Sequence, residues 1–358
     1  MSSSGILVNA RSLTASMTGV QRYTDELCKR LDGRIECVFP RRPLHGPMGH
    51  LWEQLFLPRL AAGRVLWSPA NAGPVSLEKQ VVTFHDIAVL DHPEWFGKRF
   101  AAWYRWLVPR LARRVKRIVA VSEFTKSRLV EVLGVDASKI AVIPNGVDER
   151  FRQASRVEFC ELRRRLPVPR SAYVLSVGSL EPRKNLARLL EAWSRCVDNI
   201  PPSVWLVVSG IKGASQVFRS TSAMSLPRRV HFTGFVPERE LPALYRGALT
   251  LVYPSVYEGF GLPALEAMAS GVPPIVGDNT SLPEIVSDAG LCIDPHNVDA
   301  IADAIVRMVS DDVLREEFSR RSLARSRFFD WNKTARATWN VLLEVSSECT
   351  VDPHRTCK

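Results

Sequence analysis

Two glutamates eight residues apart, Glu258 and Glu266, bracket the run Tyr257-Glu258-Gly259-Phe260-Gly261-Leu262-Pro263-Ala264-Leu265-Glu266-Ala267-Met268. Gly259 and Gly261 permit close backbone approach, and Pro263 suits the first turn of a helix. A helix N-terminus presents unpaired N–H groups at a positive dipole end, so the segment has the makings of a phosphate site. Carboxylates on either side of such a site can accept hydrogen bonds from hydroxyl groups. The plainer alternative is a turn in which Glu266 complements the helix dipole. A second segment, Val177-Gly178-Ser179-Leu180-Glu181-Pro182-Arg183-Lys184-Asn185, places two adjacent cations between a strand and a helix that Asn185 is placed to cap. Arg offers a planar fork to phosphate oxygens and Lys a mobile point charge. An Arg-Lys pair in isolation is a solvated surface. Directly after the carboxyl end of a strand, where open α/β sheets bind ligands, it becomes a candidate anion site.

The first half holds further candidates. Thr83-Phe84-His85-Asp86 ends an apolar run, so His85 is a candidate hydrogen-bonding group and Asp86 can orient it or cap the next turn. A buried structural histidine is the alternative. Thr18-Gly19-Val20-Gln21-Arg22-Tyr23 opens a helix, where Gly19 would let the backbone approach a ligand beside Arg22. An ordinary helix start accounts for the same residues. Ser122 suits an N-cap and Asn145-Gly146 a tight turn, with Asn145 a further site candidate.

These residues need strands and helices to position them, and the apolar pattern supplies both. Strands are predicted at 6–8, 81–84, 117–121 and 140–143, then at 173–177, 204–208, 249–253 and 274–276. Helical stretches lie between them, at 19–31, 125–133, 185–197 and from 263 onward. Alternation of this kind predicts βαβ units, and the near-continuous apolar strands fit parallel sheets covered on both faces. The chain has 358 residues, enough for two domains at about 150 residues each. Arg163-Arg164-Arg165-Leu166-Pro167-Val168-Pro169-Arg170 reads as the joint between two doubly wound domains with a cleft between them.

Composition narrows the partners. The formal net charge is +11, and residues 1–165 hold 27 Lys and Arg against 16 Asp and Glu, while the remainder holds 21 of each. The whole excess therefore lies in the first half, which calls for an acidic partner there. Residues 98–117 contain eight basic residues and no acidic one, with Trp95, Trp103 and Trp106 interleaved. That pattern fits a helix on an anionic membrane surface, with a solvated face or a nucleic-acid patch as rivals. The 7 cysteines are scattered without CxxC spacing, which argues for a reducing compartment and against a disulfide scaffold or zinc site. No apolar run spans a bilayer, and the Met-Ser-Ser-Ser-Gly start lacks signal-peptide features. No Gly-x-Gly-x-x-Gly follows the first strand and no Gly-x-x-x-x-Gly-Lys-Ser/Thr occurs, which disfavours nicotinamide and P-loop chemistry.

Gly178 to Asn185, Gly234-Phe235-Val236 and Glu258 to Ala269, followed by Ser270-Gly271-Val272-Pro273, match in order and spacing a known pattern across about 110 residues. The chain resembles the retaining glycosyltransferases of family 4, which have the GT-B fold. The resemblance extends to Gly19-Val20-Gln21-Arg22-Tyr23, His85-Asp86, Val121-Ser122-Glu123 and Pro144-Asn145-Gly146. It departs at Ser179, where members often carry Arg; Arg183 is the candidate replacement.

The resemblance implies an α/β fold of two Rossmann-like doubly wound domains facing a cleft. Residues 1–166 would bind acceptor, 167–330 would bind donor, and 331–358 would form a helix and tail packing back on the first domain. It further implies that Lys184 and Arg183 hold the donor diphosphate, Glu266 the ribose and Glu258 the transferred sugar. Gly178, Gly259, Phe260, Gly261 and Leu262 would complete the phosphate site, Val236 would lie by the base, and Gly19 would approach the donor. His85 would act near the reacting carbon, with Arg22, Tyr23, Asp86 and Asn145 on the acceptor side. The implied reaction is hexosyl transfer with retention and without a divalent metal or other cofactor, since the cations stabilise the leaving group. Trp52-Glu53-Gln54 and His92-Pro93-Glu94-Trp95-Phe96 resemble the branch that builds bacterial surface polysaccharides, which favours a GDP-mannose or GDP-rhamnose donor. The acceptor would be a lipid-linked or oligosaccharide glycan, nucleic acid no partner, and the location cytoplasmic or peripheral on the inner membrane face. A UDP-sugar enzyme of the same fold and a non-catalytic nucleotide-sugar binder are the alternatives.

Overall fold

A computed structural model describes residues 5–15, 17–44, 46–153, 161, 168–169, 171–179, 181–210 and 226–347. Contacts divide these into two units: residues up to Gly146 together with those from Asp330 onward, and Val147 to Phe329.

The first unit carries six parallel strands: β1 (Ile6–Asn9), β2 (Glu36–Val38), β3 (Val65–Ser68), β4 (Gln80–Phe84), β5 (Arg117–Ala120) and β6 (Ile140–Val142). Their order is β2-β1-β3-β4-β5-β6, so the chain reverses direction across the sheet between β1 and β3. β1, β3 and β4 are buried along their whole length, as strands covered on both faces must be. The helices are α1 (Gly19–Arg30), α2 (Gly46–Leu55), α3 (Leu57–Leu60), α4 (Ala88–Asp91), α5 (Lys98–Arg114) and α6 (Glu123–Leu133). Tyr23 and Leu27 of α1 pack with Ile6, Val8 and Trp67 on one face, and Leu111 of α5 with Leu129 of α6, Val82 and Phe84 on the other. α6 opens with the Ser122 hydroxyl accepting from the Thr125 N–H at 3.0 Å and closes on left-handed Gly134.

The last helix, Trp331–Ser347, is part of this unit, burying Trp331, Ala335, Val341 and Leu342 against the α1 face. Gly146 is fixed by that docking rather than by turn geometry, because a Cβ there would lie 2.2 Å from the Trp331 nitrogen. Thr334 adds a 2.7 Å bond from its hydroxyl to the Pro144 carbonyl. Cys28 of α1 and Cys37 of β2 meet with their sulfurs 3.4 Å apart, as free thiols.

The second unit begins with α7 (Arg150–Gln153) and builds a second six-stranded parallel sheet. Its strands are β7 (Tyr173–Val177), β8 (Trp205–Ser209), β9 (Val230–Gly234), β10 (Thr250–Tyr253), β11 (Pro274–Gly277) and β12 (Leu291–Ile293). The order β9-β8-β7-β10-β11-β12 is that of a doubly wound dinucleotide-type sheet, with the switch between β7 and β10. Its helices are α8 (Leu186–Cys196), α9 (Leu241–Arg246), α10 (Leu262–Ala269), α11 (Leu282–Val286), α12 (Val298–Ser310) and α13 (Asp312–Ser326). Leu189, Trp193 and Cys196 of α8 meet Ile301, Ile305 and Met308 of α12 over β7 and β8.

The expected joint near 166 lies largely outside the described residues. The first cut falls after Gly146, because α7 packs with the second unit: Phe151 meets Tyr245 of α9 edge-on at 5.7 Å. Among the described residues no helix is long and apolar enough to cross a membrane.

Candidate functional site

The switch point of the second sheet assembles the charged candidates. After β7, Pro182–Lys184 forms a single tight turn, ended by Asn185 in the left-handed conformation. Contrary to the expectation from its position, Asn185 does not cap α8 with its side chain. Its amide instead donates to the carbonyls of Pro254 at 3.0 Å and Pro295 at 2.6 Å, tying the β7 loop to those after β10 and β12. The Val256 N–H to Arg183 carbonyl bond, 2.8 Å, adds a backbone link.

So held, Lys184 Nζ lies 2.6 Å from Glu258 Oε1 and also donates to the Tyr253 hydroxyl, which in turn donates to the same carboxylate oxygen at 2.7 Å. Arg183 Nη1 stands 3.6 Å from Glu258 Oε2. Arg183 Nε is held by Glu181, whose other oxygen accepts from the Ser179 hydroxyl at 2.7 Å. Ser179, the point of departure from the family pattern, thus helps to orient Arg183. Glu258 is buried. Burial alone would raise its carboxyl, but Lys184 and Arg183 outweigh that and hold it below the ordinary value. Burial lowers the Lys184 ammonium, and Glu258 offsets part of the shift. Burial and the Glu258 charge push the Tyr253 phenol well up.

The β10 loop continues into α10 through Gly259, Phe260 and Gly261. Gly261 has φ +103°, and a Cβ there would meet Leu282 Cδ2 at 2.6 Å, so glycine is required twice over. Phe260 anchors the turn edge-on against Phe329 at 5.9 Å, and Leu262 begins the helix. Glu266 is buried within α10, accepting from the Tyr245 hydroxyl at 2.9 Å. Gly178 rests against the Lys184 stem, its Cβ position 3.5 Å from Lys184 Cγ. At the end of β9, Val236 is buried while Phe235 is 73% exposed.

In the first unit, His85 is buried at the end of β4, its ring edge-on to Tyr23 at 4.8 Å. Its Nε2 lies 2.8 Å from the Pro69 carbonyl and therefore carries a proton. Burial lowers the imidazole to about 4, against a smaller raising effect of that hydrogen bond. The ring is consequently neutral at physiological pH. Asp86 caps the next turn, accepting from the Ala88 N–H at 3.1 Å. Tyr23 corrects an expectation: it is not on an acceptor face but fully buried among Trp67, His85 and Trp331. It supports His85 and cannot touch a substrate. Gly19 is exposed, Arg22 half-buried, and Asn145 buried with its Oδ1 lacking a partner among the described residues.

Sequence reading missed a cluster at the β1–β3 switch. Buried Glu53 of α2 takes the Asn9 amide and Arg11 Nε on one oxygen, both at 2.9 Å, and has His50 Nδ1 3.2 Å from the other. A Cβ at Gly49 would come 2.5 Å from Arg11 Nη1, so the glycine makes room for the guanidinium. No local spacing could have revealed it, because Asn9 and Glu53 are separated by 44 residues.

Comparison with known proteins gives the same reading. Residues 160–325 match the family described as glycosyl transferases group 1, and residues 60–151 match glycosyltransferase family 4. The chain is 34% identical over 270 residues to the O-antigen chain mannosyltransferase B of Escherichia coli, across 75% of this chain and 71% of that one. It is 29% identical over 285 residues to the serotype-specific mannosyltransferase WbdA of Escherichia coli, across 75% of this chain but 34% of that longer protein. The sucrose-phosphate synthase of Thermosynechococcus elongatus has the same fold, with a TM-score of 0.75 over 96% of this chain and 99% of that one at 18% identity. The chain belongs to the group 1, family 4 glycosyltransferases of GT-B fold.

Proposed function

We propose that this glycosyltransferase moves mannose from GDP-mannose to a hydroxyl of a growing, lipid-linked surface glycan, with retention at the anomeric carbon and without a divalent metal. One observation carries the site assignment: Arg183, Lys184 and Glu258 converge where the second sheet reverses its strand order, at the mouth of α10. The identity to a mannosyltransferase of O-antigen supports the sugar and the acceptor class. In this reading Arg183, Lys184 and the amides from Gly259 to Leu262 receive the diphosphate. Glu258 receives hydroxyls of the transferred sugar, Glu266 the ribose, and Val236 lies by the guanine. Gly178 leaves room for the diphosphate, and Gly19 is a donor-binding residue contributed by the first unit. Neutral His85 lies near the reacting carbon, with Arg22, Asp86 and Asn145 on the acceptor side.

The reaction follows from that charge layout. The bond from the anomeric carbon to the β-phosphate oxygen breaks as the acceptor oxygen bonds to the same face. The acceptor proton passes to the departing phosphate. Negative charge grows on the diphosphate, and the two cations with the helix N-terminus stabilise it. Thermal shift against GDP-mannose, UDP-glucose, ADP-glucose and a dTDP sugar tests the donor. At 100 times Kd the preferred donor adds about 2.7 kcal/mol to stability. GDP-mannose is expected to give the largest shift, and equal shifts from all four would overturn the base and sugar assignment. Product NMR showing inversion would overturn the stereochemistry.

A further inference from the structure

The edge of the first sheet carries two thiols in contact. β2 is the edge strand, with Cys37 opposite Val8 of β1. Side chains along a strand alternate between its faces. Ile35 packs with Tyr23 and Leu27 on the α1 side, and Val38 with Leu7, Leu57 and Leu66 on the other. Cys37, in phase with Ile35, is thereby turned toward α1. On that helix Cys28 follows the buried Leu27, one turn beyond the buried Thr24, and packs on the same apolar cluster. The two sulfurs meet 3.4 Å apart, with Cys37 exposed and Cys28 half-buried. Of the other described cysteines, Cys196 lies in the core of the second unit and Cys292 on its edge strand β12.

Thiols so placed are prepared for one reaction. A disulfide holds its sulfurs about 2.05 Å apart, so the gap to close from 3.4 Å is about 1.4 Å, within reach of small side-chain rotations. Helix and strand are joined by a short connection that the fold already orders, so closing the ring costs little further entropy. Reactivity is divided between the two sulfurs. The hydrogen bond between them stabilises the Cys37 thiolate and holds that thiol below its ordinary value, against smaller raising effects of burial and Asp32. The same hydrogen bond, together with burial, raises Cys28. Cys37 is therefore the accessible attacking thiol and Cys28 the resolving one.

We propose that Cys28 and Cys37 form a dithiol modification site, which small-molecule disulfides of the glutathione class oxidise to an intrachain disulfide. The Cys37 thiolate attacks one sulfur of oxidised glutathione, forming a mixed disulfide and releasing one glutathione thiolate. The Cys28 sulfur then attacks Cys37 Sγ, the mixed disulfide breaks, and the second glutathione leaves. The two protein thiols lose two electrons and two protons, and one oxidised glutathione becomes two reduced ones. The product ties α1 to the sheet edge. α1 begins at Gly19 and carries Tyr23, whose ring lies 4.8 Å from that of His85, so the bridge fixes the helix behind that histidine. No donor or acceptor takes part, so the site goes beyond the transfer reaction.

Incubating the reduced chain with excess oxidised glutathione, then alkylating it and mapping its peptides by mass spectrometry, tests the assignment without any activity readout. Cys28 and Cys37 are expected as one cross-linked pair, lighter by two hydrogens and bearing no glutathione. Cys28→Ser should trap the first step, with one glutathione left on Cys37. Cys37→Ser should leave Cys28 unmodified at the same exposure. A bridge closing a loop of about ten residues should raise the melting temperature of the first unit by roughly 5–10 °C, reversibly with dithiothreitol. Neither serine variant should show that rise. Both cysteines remaining alkylatable in the oxidised parent would overturn the proposal. So would glutathione retained on Cys37 in the parent, linkage of either sulfur to a different cysteine, or a bridge that lowers the melting temperature.

Discussion

Lys184 and Glu258 allow the sharpest test, because the two are buried together and both are assigned to the donor. Replacing Lys184 by Met keeps the stem that lies against Gly178 and removes the charge 2.6 Å from Glu258. Breaking a buried pair from one side costs about 3–5 kcal/mol. The remaining Arg183 at 3.6 Å and the Tyr253 hydroxyl place this case at the low end, about 3 kcal/mol. For a unit the size of Val147 to Phe329, that is a fall in Tm of roughly 6–12 °C. Glu258→Gln leaves the cations partly answered by the amide oxygen and should cost about 2 kcal/mol. The double variant removes both charges and should cost less than the sum by about 2–3 kcal/mol. Urea unfolding of the four proteins measures this coupling. Additivity within about 0.5 kcal/mol would refute the pairing. Ligand binding separates the roles. Glu258→Gln should bind GDP at least as tightly as the parent, because the carboxylate no longer competes for Lys184 and Arg183, yet lose turnover. Lys184→Met should lose the GDP-induced shift and at least about 100-fold in turnover. Retained GDP binding in Lys184→Met would remove Lys184 from the diphosphate site.

His85 predicts a pH dependence. Its imidazole titrates near 4 in the folded chain against 6.5 when free, so between those values only the unfolded state takes the proton. Stability should fall as pH drops from 6.5 to 4, by about 3 kcal/mol, and His85→Gln should remove that slope in unfolding experiments run across the range. Gly261→Ala should destabilise by about 2 kcal/mol or more, measured by urea unfolding, because φ is +103° and Leu282 fills the Cβ position. A loss under about 0.5 kcal/mol would contradict the strain reading. Glu53→Gln should destabilise the first unit by about 2–3 kcal/mol, leaving Arg11 half-buried without its carboxylate, and Glu53→Gln with Arg11→Gln should recover part of that. The recovery is read in the same unfolding curves.

What the sequence disclosed follows from how each half builds its site. In the second unit the candidate residues sit in two continuous loops, Gly178 to Asn185 and Glu258 to Glu266, each running from a strand end into a helix. Spacing alone exposes such loops, so the candidate residues of the second unit are legible in the sequence. Even there, the position of Asn185 suggests a local cap. Its real partners, the Pro254 and Pro295 carbonyls, are 69 and 110 residues away. The strands that escaped prediction were β2, β3, β9 and β12. β2 is a three-residue edge strand with two exposed positions, and β12 is equally short and only partly buried, so neither needs an apolar run. β3 is a different case: Val65-Leu66-Trp67-Ser68 is central and fully buried, but four residues between Gly63-Arg64 and a proline give no period to detect.

The first unit spreads its site over many segments. Asn9, Arg11, His50 and Glu53 meet at one switch point, and His85 is set by Pro69, Asn71 and Tyr23. Apart from the His50–Glu53 pair within α2, each contact joins segments far apart in sequence, so no short motif contains the cluster. Tyr23 shows the consequence: a residue inside a recognisable run was placed on the ligand face, although helical phase turns it into the core between Trp67 and Trp331. α2 is the same lesson at larger scale: it buries Gly49 and Glu53 and leaves Met48, Leu51 and Leu55 exposed. Met48, Leu51 and Leu55 have the spacing of a core stripe, and periodicity cannot say which face is inward. The buried carboxylate of Glu53 decides it, because a charge that needs Asn9, Arg11 and His50 must face the sheet end, and this forces the apolar stripe outward. The helix is therefore oriented by Glu53 together with Trp52, which packs on the Leu7, Leu57 and Leu66 cluster, and the exposed stripe follows from how the switch point of the first sheet is filled.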